Sequence, residues 1–403
     1  MQTIFDLDRA ATATVQTITR RRFAFSALNV MEGRPFVALI GPRGAGKTIL
    51  LRQIRAERDD ALYISADTLD AEDDLFELLH ALHRQFGVRD FFLDEIHFIR
   101  EYAAHLKKVF DFLPVHVWFT SSMALALDQT RWDLTRRVIV HHLLPFTYRE
   151  FLRFVDDQEM ETLSLEQALT KPPPGFLRAG GRFHEYLRGG LHPFLLEAGS
   201  ELVLFENIVR TVISRDIPAV EPSITAEEIT TMERAVRFIA RAAVDGVNYS
   251  TLAANLGITK YKAEQVLARL ESSFLAIRVF PGGTKVLREP KVLLQLPYRL
   301  LYQPFDHALG ALREEFFALA MRQHGQAFSY AKSTRGTKTP DYILHDSLSG
   351  TVVEIGGKGK GRTQFKGLTY ERKIVLFDGT LSLETRIVGG ERVPLYLVGF
   401  AAG

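Results

Sequence analysis

The chain has 403 residues, 46% of them hydrophobic and 24% charged, with a formal net charge of +2. That balance belongs to an ordinary folded protein, and the length calls for roughly two to four domains rather than one core. A near-neutral total excludes nucleic-acid binding through overall charge, and the absence of cysteine excludes disulfides, thiolate metal sites and cysteine nucleophiles.

Met1-Gln2-Thr3-Ile4-Phe5-Asp6 has no basic stretch leading into an apolar one. No apolar run nears the about 20 residues of a membrane span, so a cytoplasmic protein with no membrane partner is expected. Ile4, Leu7, Ala11, Val15 and Ile18 recur at helical spacing, which predicts helix through residues 1–34, with Arg20-Arg21-Arg22 as a solvated helix end. Phe36 to Ile40 predicts a buried strand and Thr48 to Glu57 a helix. Between them, Gly41-Pro42-Arg43-Gly44-Ala45-Gly46-Lys47-Thr48 fits G-x-x-x-x-G-K-[ST], the pattern of a phosphate cradle. Glycines let the backbone turn tightly and aim N–H groups at an anion, and the dipole of the following helix adds to the attraction. The expected nucleotide-binding residues are Gly41, Pro42, Arg43, Gly44, Ala45, Gly46, Lys47, Thr48 and Ile49. Lys47 would reach the β- and γ-phosphates of ATP, and the Thr48 hydroxyl would bind Mg²⁺.

Ala61 to Ser65 predicts a short strand and Asp73 to Phe86 an amphipathic helix. Phe91-Phe92-Leu93-Asp94-Glu95 then runs from apolar residues into two carboxylates. At the end of a strand beside a phosphate loop, Asp94 suits the Mg²⁺ water shell and Glu95 the polarising of an attacking water. The next strand, Val115 to Phe119, leads into Thr120-Ser121-Ser122. A hydroxyl there can sense the γ-phosphate, Thr120 first and Ser122 second, unless these residues cap a helix. In Asp133-Leu134-Thr135-Arg136-Arg137-Val138, Arg137 is the candidate for a guanidinium reaching a neighbouring subunit's phosphate, with Arg136 the alternate. A surface ion pair is the competing use.

Lys171-Pro172-Pro173-Pro174-Gly175 is the clearest loop, since three prolines neither continue a helix nor donate to a sheet. Helical stretches follow around Phe183 to Leu187 and from Leu195 to Ile213, and Arg215-Asp216 closes them with no role assigned. Glu228 to Val244, Ser250 to Leu256, Gly257 and Thr259 to Glu271 have helix-turn-helix spacing, with Phe274 to Val286 as a wing hairpin around Pro281-Gly282-Gly283. On double-stranded DNA, Thr259, Lys260, Lys262 and Lys285 would meet backbone or groove. Glu264 and Glu271 dilute that charge, and packing as a lid is the other use.

After Tyr302, Gly310 to Arg322 predicts a helix carrying Glu314 and Glu315. Ala327 to Ala331 follows, then a basic loop with Lys332, Arg335 and Lys338, then Pro340-Asp341-Tyr342-Ile343-Leu344. Thr351 to Lys360 reads as a strand running into glycines. Asp341, Glu354 and a lysine just beyond form a constellation for metal-dependent phosphodiester cleavage, with two carboxylates for Mg²⁺ and an ammonium to position water. The usual lysine place, two after the glutamate, holds Gly356; Lys358 shares that strand face one step on, and a retained but inactive fold is the alternative.

Gly41 to Thr48, Leu93 to Glu95, Phe119 to Ser122, Leu134 to Tyr148, Phe183 to Gly190 and Pro340 to Lys360 together resemble prokaryotic P-loop ATPases of the AAA+ type. The resemblance lies near the archaeal-ATPase and origin-recognition branch, which carries a winged helix and a C-terminal restriction-endonuclease-like domain. It implies an α/β fold with a P-loop core over 1–150, a helical lid over 151–222, a winged helix-turn-helix over 223–300 and an α/β nuclease-like domain over 301–403. It also implies the roles above for Lys47, Thr48, Asp94, Glu95 and Thr120, a trans-acting Arg137, and metal positions at Asp341 and Glu354. The implied activity is Mg²⁺-dependent ATP hydrolysis driving a conformational change in a homo-oligomer on DNA, with a C-terminal domain that binds or cuts it. A nucleotide-dependent protein-binding switch is the alternative. Ser121, where such proteins often have glycine, and the stretched spacing from Glu354 to Lys358 depart from the pattern.

Overall fold

The computed structural model describes residues 2–31, 33–124, 134, 136–198, 202–282, 289–331, 340–356, 370–379 and 392–401. They group into two compact units, one of Met1–Pro145, Arg210–Ile229 and Ser272–Phe274, the other of Phe146–Val209, Thr230–Glu271 and Leu275–Gly403. Among the described residues no helix is long and apolar enough to cross a membrane.

The first unit is organised on five parallel strands, β1 (Phe36–Ile40), β2 (Ala61–Ser65), β3 (Asp90–Asp94), β4 (His116–Ser121) and β5 (Val138–His142), in the order β2-β3-β4-β1-β5. β1 is buried at every residue, and β2, β3 and β4 nearly so. Parallel strands covered on both faces carry continuous apolar runs instead of alternation, which is why these segments are readable as strands. β5 is the exception: it lies at the sheet edge with Ile139 and Val140 exposed.

Helices α1 (Gln2–Gln16), α2 (Ala24–Asn29), α3 (Lys47–Arg55), α4 (Leu75–Phe86) and α5 (Tyr102–Phe112) belong to the same unit. Leu50, Leu51 and Ile54 of α3 enter one core cluster with Val37, Leu39, Phe92 and Trp118, and this fixes the phosphate loop between a buried strand and a buried helix face. α4 is bounded as its sequence directs: the Asp74 side chain accepts from the N–H of Glu77, and Gly87 ends it with a φ of 73°. The single helix expected over 1–34 is two helices, α1 and α2. The chain breaks between them because Arg22 turns inward to donate to the carbonyls of Ala45 and Leu144, so the arginine triplet is not wholly a solvated end.

The helices Ala226–Arg241, Tyr249–Leu256 and Lys260–Ser272 lie mostly in the second unit, close to the stretches expected as helical, with Gly257 at a φ of 69° after the second. The hairpin after them departs from expectation. Its arms are β6 (Ala276–Val279) and β7 (Lys291–Leu294), antiparallel with Ala276 opposite Leu294, so the second arm is not the stretch ending at Val286. Val292, Leu293 and Leu294 are fully buried and Lys291 nearly so, and this apolar run supplies the arm that enters the core. Lys285 lies outside the described residues.

The chain then forms β8 (Phe328–Tyr330), β9 (Tyr342–Leu344), β10 (Thr351–Gly356), β11 (Arg372–Phe377) and β12 (Arg392–Pro394), lying side by side in chain order. β8, β9 and β10 pair antiparallel, and β10, β11 and β12 parallel. The helix Phe305–Gln323 buries Leu312, Phe316, Phe317, Leu319 and Met321 in this unit. Its Glu315 is wholly buried against Arg299, whose guanidinium also donates to the carbonyls of Ile239, Ala240 and Ala242. Segments expected as separate blocks over 151–222, 223–300 and 301–403 therefore pack largely as one unit, while Arg210–Ile229 belongs with the first.

Candidate active site

Gly41 follows β1 where the loop passes the end of β5. A methyl group there would lie 2.0 Å from the carbonyl oxygen of Leu143, so only glycine fits. Gly44 and Gly46 have φ values of 79° and 88°, left-handed conformations that cost glycine little. α3 begins at Lys47, which places the first turn of a helix, with its unsatisfied N–H groups, at the loop.

Lys47 is buried, and its ammonium donates to the carbonyls of Gly41 (2.8 Å) and Pro42 (3.1 Å). Burial pushes its pKa below the ordinary lysine value, against the pull of Glu95 and Asp94. Asp94, at the end of β3, is held from two sides: the Thr120 hydroxyl donates to Oδ1 (2.5 Å) and the Tyr63 hydroxyl to Oδ2 (2.7 Å). Thr120 in turn accepts from the backbone N–H of Glu95 (2.9 Å), so one buried hydroxyl fixes both the aspartate and the turn after it. Burial, and then Asp94, raise the Tyr63 pKa, which keeps the phenol a donor.

Glu95 occupies a left-handed conformation with a φ of 53°. Its Oε1 is 3.9 Å from Arg43 Nη1 and its Oε2 3.4 Å from His97 Nδ1. Oε2 is buried and takes no hydrogen bond among the described residues. Burial by itself would raise this carboxyl, but Lys47, His97 and Arg43 more than offset it and hold the group below its ordinary value. It is an ionised acceptor at neutral pH. His97 is buried beside it, and that burial lowers its pKa against the pull of Glu95 and Asp216.

Asp216 completes the wall. Its carboxylate is fully buried, accepts from Arg43 Nε (2.5 Å) and Nη2 (2.8 Å), and takes the Ser122 hydroxyl at 3.1 Å. The Thr48 hydroxyl and the Asp94 carboxylate are the hard oxygen donors Mg²⁺ selects, and Tyr63 and Thr120 orient the carboxylate from behind. With a glycine-lined loop, an ammonium and an acceptor oxygen without a donor, the residues fit a nucleoside triphosphate and its metal.

Residues 33–152 match the AAA domain family. Residues 181–294 match a domain of unknown function, DUF8612. No curated protein matches the chain. Among solved structures the chain resembles the Aeropyrum pernix ORC1 protein in complex with DNA at 13% identity, covering 77% of this chain and 93% of that chain with a TM-score of 0.34. It resembles AMPPCP-bound DnaA from Aquifex aeolicus at 12% identity, over 62% and 84% of the two chains with a TM-score of 0.23. For C. elegans PCH-2 the identity is 13%, the coverage 64% and 68%, and the TM-score 0.25.

Within the AAA-like core, Lys47, Glu95, Asp94 and Thr120 come together. Arg137 does not join them. It sits just before β5, its carbonyl accepting from the N–H of Phe36 at the start of β1, and so lies at the opposite end of the sheet from the loop. Its guanidinium forms a paired contact with Asp111, and its expected partner, a neighbouring subunit's phosphate, is a matter for an assembly rather than for one chain. Tyr63, His97, Asp216 and Arg22 are site residues the sequence reading did not assign.

In the second unit Asp341 accepts from the N–H of Ile355 (2.7 Å), and Glu354 is buried on β10. Burial, then Glu314 and Glu354, push the Asp341 carboxyl up to about 7. A cavity of about 330 Å³ is lined by Asp341, Tyr330, Glu289, Asp245 and Lys291 among others. The Lys291 ammonium is taken up by Glu314 (2.5 Å) and Asp245 (2.7 Å). Among the described residues no group of three His, Asp or Glu side chains is placed to hold a metal. Lys358, like Lys332, Arg335 and Lys338, lies outside them. Lys260, expected to face DNA, is paired with Glu289.

Proposed function

We propose that this chain is a Mg²⁺-dependent ATP hydrolase that works at Gly41–Ile49. The observation that carries the reading is the convergence of Lys47, Asp94 and Glu95 at the carboxyl ends of β1 and β3, with Glu95 Oε2 buried and accepting no hydrogen bond among the described residues. Lys47 would exchange its two loop carbonyls for phosphate oxygens. Thr48 and Asp94 would hold Mg²⁺, which spreads the charge of the phosphates. Glu95 Oε2 would accept the proton of the attacking water, a role worth about 10²- to 10⁴-fold in rate for a positioned base.

We further read the turnover as serving a homo-oligomer on DNA, supported by the basic excess between Lys332 and Lys373 in the sequence. For the C-terminal region, one observation favours an interaction module over a nuclease: glycine holds position 356, where the lysine of the constellation would stand.

Purified protein incubated with ATP, Mg²⁺ and supercoiled plasmid tests these readings together. A folded Lys47→Ala variant should lose ATP turnover by about 100-fold or more, and persistent turnover rejects the ATPase. The double variant Asp341→Asn, Glu354→Gln should keep turnover. Nicking that it alone loses would restore the nuclease, whereas intact plasmid in every lane, without salt-dependent binding, selects the protein-binding switch.

A further inference from the structure

We propose that Arg43, inside the phosphate loop, is the cation that meets the terminal phosphate, and that Asp216 is its positioning residue. The inference rests on the ATPase reading, and it assigns to this chain's own loop a neutralising task separate from the trans-acting one expected of Arg137.

A guanidinium has two usable edges, and the geometry separates them. Nε and Nη2 are committed to the two oxygens of Asp216, a bidentate grip that fixes the plane of the group. Nη1 turns the other way, to within 3.9 Å of Glu95 Oε1, the carboxylate assigned to the attacking water. The Arg43 side chain keeps 23% of its exposure while that of Asp216 keeps none. The anchor is therefore interior and the cation faces the site. Burial would lower the Arg43 pKa, but Asp216 reverses that and holds it well above the ordinary arginine value, so the charge is permanent.

Asp216 has no other evident reason to be a charge. It is fully buried at the end of Val212–Asp216, a π-helical turn, and π-turns within helices mark functional positions often. Besides Arg43, it accepts from the hydroxyl of Ser122, the residue after β4. A buried carboxylate is costly unless paired; this one is paired to a loop arginine on one side and to the strand-end hydroxyl on the other, so it ties Arg43 to the frame of the sheet.

The test compares Arg43→Ala, Arg43→Lys, Arg43→Gln and Asp216→Asn with Lys47→Ala. Steady-state ATP hydrolysis is read beside the affinities for ADP and for a non-hydrolysable ATP analogue, and beside the melting temperature of the nucleotide-free protein. Arg43→Ala should lower kcat by about 100-fold or more and cut the preference for the analogue over ADP by about 10-fold, because the lost contact is to the phosphate that ADP lacks. Arg43→Lys should not recover either, since one ammonium cannot hold Asp216 and reach forward. Asp216→Asn should lower kcat with KM little changed. If Arg43→Ala does not fold, Arg43→Gln decides, because its amide still offers Asp216 a donor. An analogue preference and kcat within twofold of wild type in a folded Arg43 variant overturn the inference, and a raised kcat overturns it by making the pair a brake. Turnover surviving in Lys47→Ala would instead overturn the ATPase reading beneath it.

Discussion

Arg299 and Glu315 show at the scale of single residues what a buried charge requires. The guanidinium is 1% exposed, bonds one carboxylate oxygen and spends Nη1 on three carbonyls. Arg299→Ala removes the donor to all of those acceptors and leaves the Glu315 carboxylate in an apolar interior without its counter-charge, though still accepting from the N–H of Leu294. It should cost about 3–5 kcal/mol in urea unfolding. The loss should also depend on pH in a definite direction. Burial already raises the Glu315 carboxyl above its ordinary 4.5, opposed by Arg299, and without the arginine the folded-state pKa rises further. A group whose folded pKa is raised helps stability once protonated, so the deficit should be smaller at pH 5 than at pH 8. A pH-independent deficit would mean that Glu315 does not feel the arginine. At this same scale the sequence was least informative. Nothing distinguishes Arg22 from Arg20 and Arg21 until a carbonyl is set in front of it. Asp216 follows Arg215 in a helical stretch that also carries Glu206 and Arg210, so nothing in the sequence singles it out, and Tyr63 is hidden in a strand where a tyrosine reads as core.

Elements were the most legible features, because burial on both faces writes itself into a parallel strand as an unbroken apolar run. β1 to β4, the phosphate loop and the acidic end of β3 could all be read that way. The hairpin could not: Val286 and Val292 are both apolar residues past the glycines in the sequence, and the second arm is chosen by the core, where Val292 to Leu294 are completely buried. The helix break before Arg22 escaped for the same reason, since its cause is 23 residues away in the chain. The junction of β1, β5 and the loop is testable at Gly41. Its missing side chain is what lets the Leu143 carbonyl approach, and that carbonyl is backbone and cannot swing aside. Gly41→Ala should therefore destabilise by about 3 kcal/mol or more and abolish nucleotide binding. Gly175→Ala, where a methyl meets nothing within 4 Å, is the matching control by thermal unfolding.

At the scale of the molecule, the chain is divided in a way its linear order hides. Segments 210–229 and 272–274 return to the first unit, and residues on both sides of position 300 share the second. A chain stopped at residue 301 loses Glu315, the acceptor for Arg299 and for the N–H of Leu294, together with the apolar face of Phe305–Gln323. It should be poorly soluble or lack near-ultraviolet circular dichroism, and a soluble, cooperatively folded product would show that residues 302–403 form a separable body. The boundaries that the resemblance implies at 150, 222 and 300 follow chain order, whereas the compact units are drawn by packing, which joins segments distant in the chain.

β1 is bonded on both flanks and has no exposed residue. Along its β4 side it can come apart only when the first unit does, whereas β5 carries bare Ile139 and Val140 and lies at the rim. The loop after β1 is thus bolted to the stiffest plank of the sheet. If the proposed hydrolysis drives a motion, a strain gauge fixed to β1 would stay still through the cycle, and the recoil would begin in the parts that merely touch the loop, the 212–216 turn among them.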